Sequence, residues 1–185
     1  MLNFLKENSY NIVKCLLNQV AMTLFGLMVA FATLQNETLL LIGSLCAVLL
    51  YLVITYYMFW EMGGKDLIHE ESGRRRPTPF RGLLVALTAS IPNIILGVLV
   101  VATKSAALTS ETAGNIQFVA NLLARGLEAM YLGLIVLYSP NNPIAFLLII
   151  LPLLFVAAFA YYLGHRNFRI GSLFGIKANT KNETR

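Results

Sequence analysis

Charge is what this chain has least of. Only 12% of its 185 residues are Asp, Glu, Lys or Arg, while 57% are hydrophobic; soluble domains carry about 25% and roughly 45–50%. So few charges cannot cover a surface facing water, which excludes a water-soluble enzyme or binding module. Cysteine is scarce too. Cys15 and Cys46 are the only two, both inside apolar runs, with no Cys-x-x-Cys or Cys/His spacing, so neither a disulfide framework nor a redox or metal centre is expected. With His69 and His165 the only histidines, there is no nucleophile–base pair, and no glycine-rich phosphate loop appears. No catalytic residue and no cofactor is expected, and an enzyme is the least supported class. No polar stretch exceeds about twenty residues, too short for a separate soluble domain. The basic balance, +5 with a pI near 9.4, comes without the patterning of a nucleic-acid patch and is explained by membrane orientation.

What remains is length in apolar runs. A mean hydropathy of +0.70 and five apolar segments, residues 15–34, 39–60, 82–103, 116–138 and 144–163, each near the twenty or so residues a crossing helix needs, predict an integral membrane protein. Irregular backbone cannot face lipid, so all five are read as helical. The fold class is an all-α polytopic membrane helix bundle with four or five true spans. It forms a single transmembrane domain over residues 1–164, with a polar loop at 61–81 and a basic tail at 165–185 that is interfacial and then disordered. The first run continues without a small-residue cleavage site and reads as a retained span. Tyr56, Tyr57, Phe59 and Trp60, and later Tyr161 and Tyr162, mark membrane boundaries.

Orientation follows from Lys and Arg, which stay cytoplasmic in short loops. The 61–81 loop holds Lys65, Arg74, Arg75, Arg76 and Arg81, and the tail holds Arg166, Arg169, Lys177, Lys181 and Arg185. Both should be cytoplasmic in a plasma membrane, together with the N-terminus carrying Lys6 and Lys14. Two ends on one side need an even number of crossings, and five segments are odd. Three resolutions exist: the third segment re-enters, breaking at Ser90-Ile91-Pro92-Asn93; the fourth lies along the outer interface, leaving Lys104 and Arg125 outside; or all five cross and the basic tail is exported. Charge favours the even readings.

Polar residues inside apolar segments point to function. Gln117, Asn121, Arg125 and Glu128 recur at i, i+4, i+8 and i+11, one narrow arc of a continuous helix. A charge in hydrocarbon costs about 2.5–3.5 kcal/mol on insertion scales, so such a stripe must face protein or a cavity. It reads either as a solute or ion path, with Arg125 and Glu128 as its charged groups, or as an Arg125–Glu128 pair tying helices together. Asn18 and Gln19 on the first segment and Asn93 beside Pro92 are further candidates, either for interhelical hydrogen bonds or for a site at a broken helix. Arg74, Arg75, Arg76 and Arg81 are expected against anionic lipid headgroups. Gly63-Gly64 reads as a hinge, and Asp66, His69 and Glu70 read as a solvated acidic turn rather than metal ligands. Small residues four apart, Gly26/Ala30, Gly43/Ala47, Ala86/Ser90, Ala120/Ala124 and Ala160/Gly164, predict close helix approach, within the chain, in a homo-oligomer or against a membrane partner.

Two function classes follow: a membrane protein that binds or passes a small solute or ion between helices, or a non-catalytic accessory or scaffold subunit of a larger membrane complex. The stretch Trp60-Glu61-Met62-Gly63-Gly64-Lys65-Asp66, with Ser72-Gly73-Arg74 and Ile91-Pro92-Asn93-Ile94, resembles small uncharacterised integral membrane proteins of Gram-positive bacteria. The resemblance covers about the middle third of the chain. It implies a bacterial plasma-membrane location and no activity.

Overall fold

A computed structural model describes residues 2–74, 78, 80–106, 111–138 and 142–168. Among these there is no strand: α1 spans Leu2–Thr33, α2 Glu37–Glu71, α3 Arg81–Ala89, α4 Ile91–Ala106, α5 Glu111–Leu127, a 3₁₀ turn Ala129–Tyr131, α6 Leu132–Tyr138, α7 Ala145–Leu148 and α8 Ile150–His165. The all-α membrane bundle is therefore what the chain forms. Three helical stretches, Phe4–Thr33, Glu37–Glu71 and Ala145–His165, are each long and apolar enough to cross a bilayer. Two more pass that test only as bent pairs, Arg81–Ala89 with Ile91–Lys104 at 55°, and Thr112–Leu127 with Ala129–Leu137 at 82°.

The ends of α2 show how local chemistry sets its limits. Asn36 caps the start, its Oδ1 accepting from Thr38 N at 3.0 Å and Leu39 N at 3.2 Å, and Glu37 complements the helix dipole. At the far end Gly73 adopts φ +68°. Its N–H donates to Glu70 O and that of Arg74 to His69 O, both at 2.9 Å, the paired bonds of a glycine-terminated helix end. The helix thus runs to Glu71, and the polar loop expected at 61–81 shrinks to residues 72–80. Gly63-Gly64 is no hinge. Gly63 lies inside α2 where a Cβ would strike the backbone of α8 at Tyr161 O and His165 N. Contact with α8 offsets the ~1 kcal/mol that glycine costs a helix interior.

Small residues make the close crossings. A Cβ on Gly164 would strike the Trp60 backbone, one on Gly82 would come 2.5 Å from Tyr161 Cβ, and one on Gly26 would strike Met130 N. Ala47, Ala86, Ala157 and Ala160 are fully buried. Two apolar cores result. One joins Ile12, Cys15, Met58, Phe59, Val85, Ala157 and Tyr161; the other joins Met22, Tyr51, Val100, Ala124, Met130, Phe146 and Leu153. Large side chains facing outward, such as Phe31 at 74% and Phe155 at 72% exposed, form the surface a membrane would cover.

The packing directions place the helix ends relative to one another. Lys14 of α1 pairs with Glu61 of α2 at 3.5 Å, and Val29, further along α1, lies where a Cβ on Gly43, near the start of α2, would fall, so α1 and α2 are antiparallel. Rising positions along α2 meet rising positions along α8, Asp66 bonding to Tyr161 and Glu70 to His165, so these two are parallel. The start of α1, the end of α2 and the end of α8 consequently share one side, which also carries Arg74 and Arg81; we call it the basic side. Arg81 opens α3 on that side, whereas Gly97 of α4 meets Phe146 and Leu147 near the start of α8. The third segment therefore crosses. It does break at the expected place: Ser90 N bonds back to Ala86 O at 2.9 Å, Ser90 Oγ donates to Ala86 O at 2.8 Å, and Pro92 falls in the first turn of α4, where its missing N–H is tolerated. The fourth segment is the one that doubles back. After its 82° bend, Gly133 of α6 returns to Leu40 and Ser44, within about two turns of the start of α2.

Candidate functional site

The expected polar stripe is interrupted by that bend. Gln117, Asn121 and Arg125 share a half-buried face of α5, and Arg125 Nε donates to Asn121 Oδ1 at 2.9 Å. Glu128 lies past the end of α5, where the chain turns into the 3₁₀ segment. The Arg125–Glu128 pair is not formed, because spacing at i, i+3 brings two side chains together only along an unbroken helix.

The break is held from outside. Thr23 Oγ1 of α1 donates to Leu127 O at 2.6 Å, satisfying a carbonyl that the ended helix leaves open. Ser44 Oγ of α2 accepts from Gly133 N at 2.8 Å on the other side of the turn. Gly26 lets the backbone of Met130 lie directly on α1. Gly26 is seven residues from the end of α1, about 10 Å along its axis, which puts the turn inside the bundle and not at its rim. There Glu128 is 2% exposed, close in sequence to Tyr131, which is 4% exposed and shares a core with Tyr51. Glu128 Oε2 and the Tyr131 hydroxyl have no hydrogen-bond partner. Buried polar atoms are nearly always paired, so two orphans on one turn call for a reason.

The other candidates do not converge on this turn. Gln19 is buried one helical turn from Thr23, on the same face of α1. Asn18 turns away and lines the surface furrow between α1 and α2 with Lys14 and Tyr57. Asn93 is buried beside the α3–α4 break, and no hydrogen bond joins it to Asn18 or Gln19 among the described residues.

A second polar cluster, not anticipated, lies on the basic side. Arg81, expected on lipid headgroups, is 4% exposed. Its Nη1 donates to Asp66 Oδ1 and its Nε to Asn8 Oδ1 at 2.6 Å. Asn8 in turn donates to Phe4 O at 2.8 Å, and Tyr161 Oη donates to Asp66 Oδ2 at 3.0 Å. His165 Nε2 sits 2.8 Å from Glu70 Oε2, and Trp60 Nε1 donates to Phe168 O at 2.7 Å. Four helices are joined through one guanidinium–carboxylate pair. Asp66, Glu70 and His69 are thus helical rather than a solvated turn, and among the described residues no group of acidic, His or Cys side chains could hold a metal. Arg74 is exposed; Arg75 and Arg76 lie outside the described residues. One signal for this cluster was present: Phe59, Met62 and Asp66 stand at i, i+3 and i+7, so the apolar period of α2 carried through Gly63-Gly64 puts Asp66 on the buried face.

Above that cluster, Lys65 Nζ lies 2.7 Å from Glu61 Oε1 and Lys14 Nζ 3.5 Å from Glu61 Oε2. The chain matches no family model, and neither the curated proteins nor the solved structures contain a match.

Proposed function

We propose that the protein binds a small solute or ion between its helices, at the turn that follows α5, with Glu128 as the group that meets it. One observation carries the reading: a buried carboxylate oxygen inside the bundle, at the end of a broken helix, has no hydrogen-bond partner among the described residues. An ionisable group so placed is expensive and is ordinarily kept for a pathway or a ligand. Broken membrane helices supply such sites because they free polar groups away from lipid. An oxygen lacking a donor selects a cation or an N–H or O–H donor, and the Tyr131 hydroxyl beside it adds a second ligand-facing atom. Arg125, Asn121 and Gln117 form the approach along α5. The Lys/Arg distribution supports a plasma-membrane protein whose N-terminus, 72–80 loop and C-terminal end are cytoplasmic, with exposed Arg74 near anionic headgroups. The resemblance of its middle third supports a bacterial source.

The test is flux of Na⁺, K⁺ and protons into proteoliposomes, read with ion-sensitive dyes. Flux of one of these cations is expected in the wild type, abolished by Glu128→Gln and reduced by Tyr131→Phe with insertion unchanged. Equal flux in wild type and Glu128→Gln, or none in either, overturns the reading. A stoichiometric second membrane polypeptide in native mass spectra, with no flux from the chain alone, establishes the accessory-subunit reading instead.

A further inference from the structure

On the face away from Glu128, the surface between α1 and α2 is not flat. Two open cavities of about 240 and 400 Å³ lie along it and a third of about 360 Å³ adjoins them on the face of α1 alone, and Lys14 lines all three. The first two share Met58 and Glu61, the last two share Asn18, and the first and last share Tyr10. They are one furrow. Its chemistry changes along its length. At the basic side the wall holds Glu7, Glu61, Lys14 and Lys65 above the buried Asp66–Arg81 pair. Further on it is made of Val13, Leu17, Ile54 and Trp60. From Lys65 to Ile54 is eleven helical residues, about 16 Å, which spans a headgroup, a glycerol and the first methylenes of an acyl chain. Tyr10 and Tyr57, 75% and 66% exposed, stand along the same furrow as aromatics do at headgroup level.

We propose that this furrow holds a phospholipid whose headgroup is a phosphodiester bearing a primary amine, the head in the charged pocket and one chain along the apolar part. Charge complementarity chooses the headgroup. The pocket wall carries three acidic side chains, Glu7, Glu61 and Asp66, and three basic ones, Lys14, Lys65 and Arg81, so it matches a zwitterion better than a net anion. The ammonium groups of Lys14 and Lys65 converge on one carboxylate, that of Glu61, where a phosphate can bridge them. Glu7 and Glu61 line the same pocket, and an amine with three N–H donors can join a carboxylate and lysine network in a way that a quaternary choline, which has no N–H, cannot. A choline would need an aromatic cage, and Tyr10 is the one aromatic residue lining this pocket. The proposal does not depend on Glu128.

Native mass spectrometry of the full chain taken from vesicles of equal parts phosphatidylethanolamine, phosphatidylglycerol and phosphatidylcholine tests it. One retained phosphatidylethanolamine per chain is expected, falling about tenfold in Lys14→Gln/Lys65→Gln and unchanged in Arg74→Gln. Both lysines are largely exposed, so the double variant folds, and an unaltered Trp60 fluorescence spectrum checks this. Equal retention of all three lipids, or retention unaffected by the double variant, overturns the proposal. Soluble glycerophosphoethanolamine is the second probe: if it displaces the lipid at equal concentration, the acyl part of the furrow contributes nothing and the site is one for a free solute.

Discussion

Asp66→Asn is the substitution that most sharply tests how the four helices on the basic side are held together. Asp66 and Arg81 are each only 5% exposed in their side chains, and this number decides the scale of the effect. An ion pair open to water contributes about 0–1 kcal/mol. Removing one partner of a buried pair costs about 3–5 kcal/mol, because the remaining charge stays buried without its counter-charge. Asparagine also fails on geometry. Asp66 accepts on both oxygens, from Arg81 Nη1 and from Tyr161 Oη, whereas an amide must turn its N–H₂ toward one of these donors. We expect Asp66→Asn to lose about 3–5 kcal/mol. Lys65→Gln, in an exposed pair on the same helix, loses at most about 1 kcal/mol. Adding Arg81→Met to Asp66→Asn removes the stranded charge and returns part of the loss, a coupling of about 0.5–3 kcal/mol in a double-mutant cycle. Trp60 is the single tryptophan and its indole bonds to Phe168 O, so its fluorescence reports the unfolding of this region during SDS titration in mild detergent. If Asp66→Asn matches Lys65→Gln, Arg81 is solvated and the account of the basic side is refuted.

Two further predictions use the same protein. Gly164→Ala places a Cβ against the Trp60 backbone, which cannot move aside as a side chain can, and should destabilise by about 1–3 kcal/mol or more. Gly126→Ala, where a Cβ meets nothing within 4 Å, should stabilise by about 0.5–1 kcal/mol; the same titration reads both, and equal effects would refute the close crossing of α2 and α8. In a Cys46→Ser background, where the remaining Cys15 is buried, an impermeant maleimide applied from one side should label cysteines introduced one at a time at Ser9, Ser72 and Arg166, and those at Gln35 and Asn142 only from the other. Arg166→Cys labelling together with Gln35→Cys would mean an odd number of crossings.

The amino-acid sequence alone determined that this is a helical membrane protein. Its scarcity of charge and its twenty-residue apolar runs leave the backbone no way to satisfy its polar groups except helices, and that requirement does not depend on what the helices touch. It also determined where the third segment breaks, since the Ser90–Pro92 signal is local. Only tertiary structure decided which segment doubles back. The turn at Glu128 follows from Thr23, Gly26 and Ser44 on two other helices, which satisfy and admit its backbone; nothing within 116–138 marks it, and a continuous helix placed Glu128 on a stripe it does not join. Arg81 was misread for the same kind of reason. Its position among other arginines is a local pattern that points to headgroups, but its carboxylate partner stands fifteen residues away and its amide partner 73 residues away. Whether a charge faces water or a buried counter-charge depends on which helices meet, and that is settled by glycines that let α2 and α8 approach backbone to backbone.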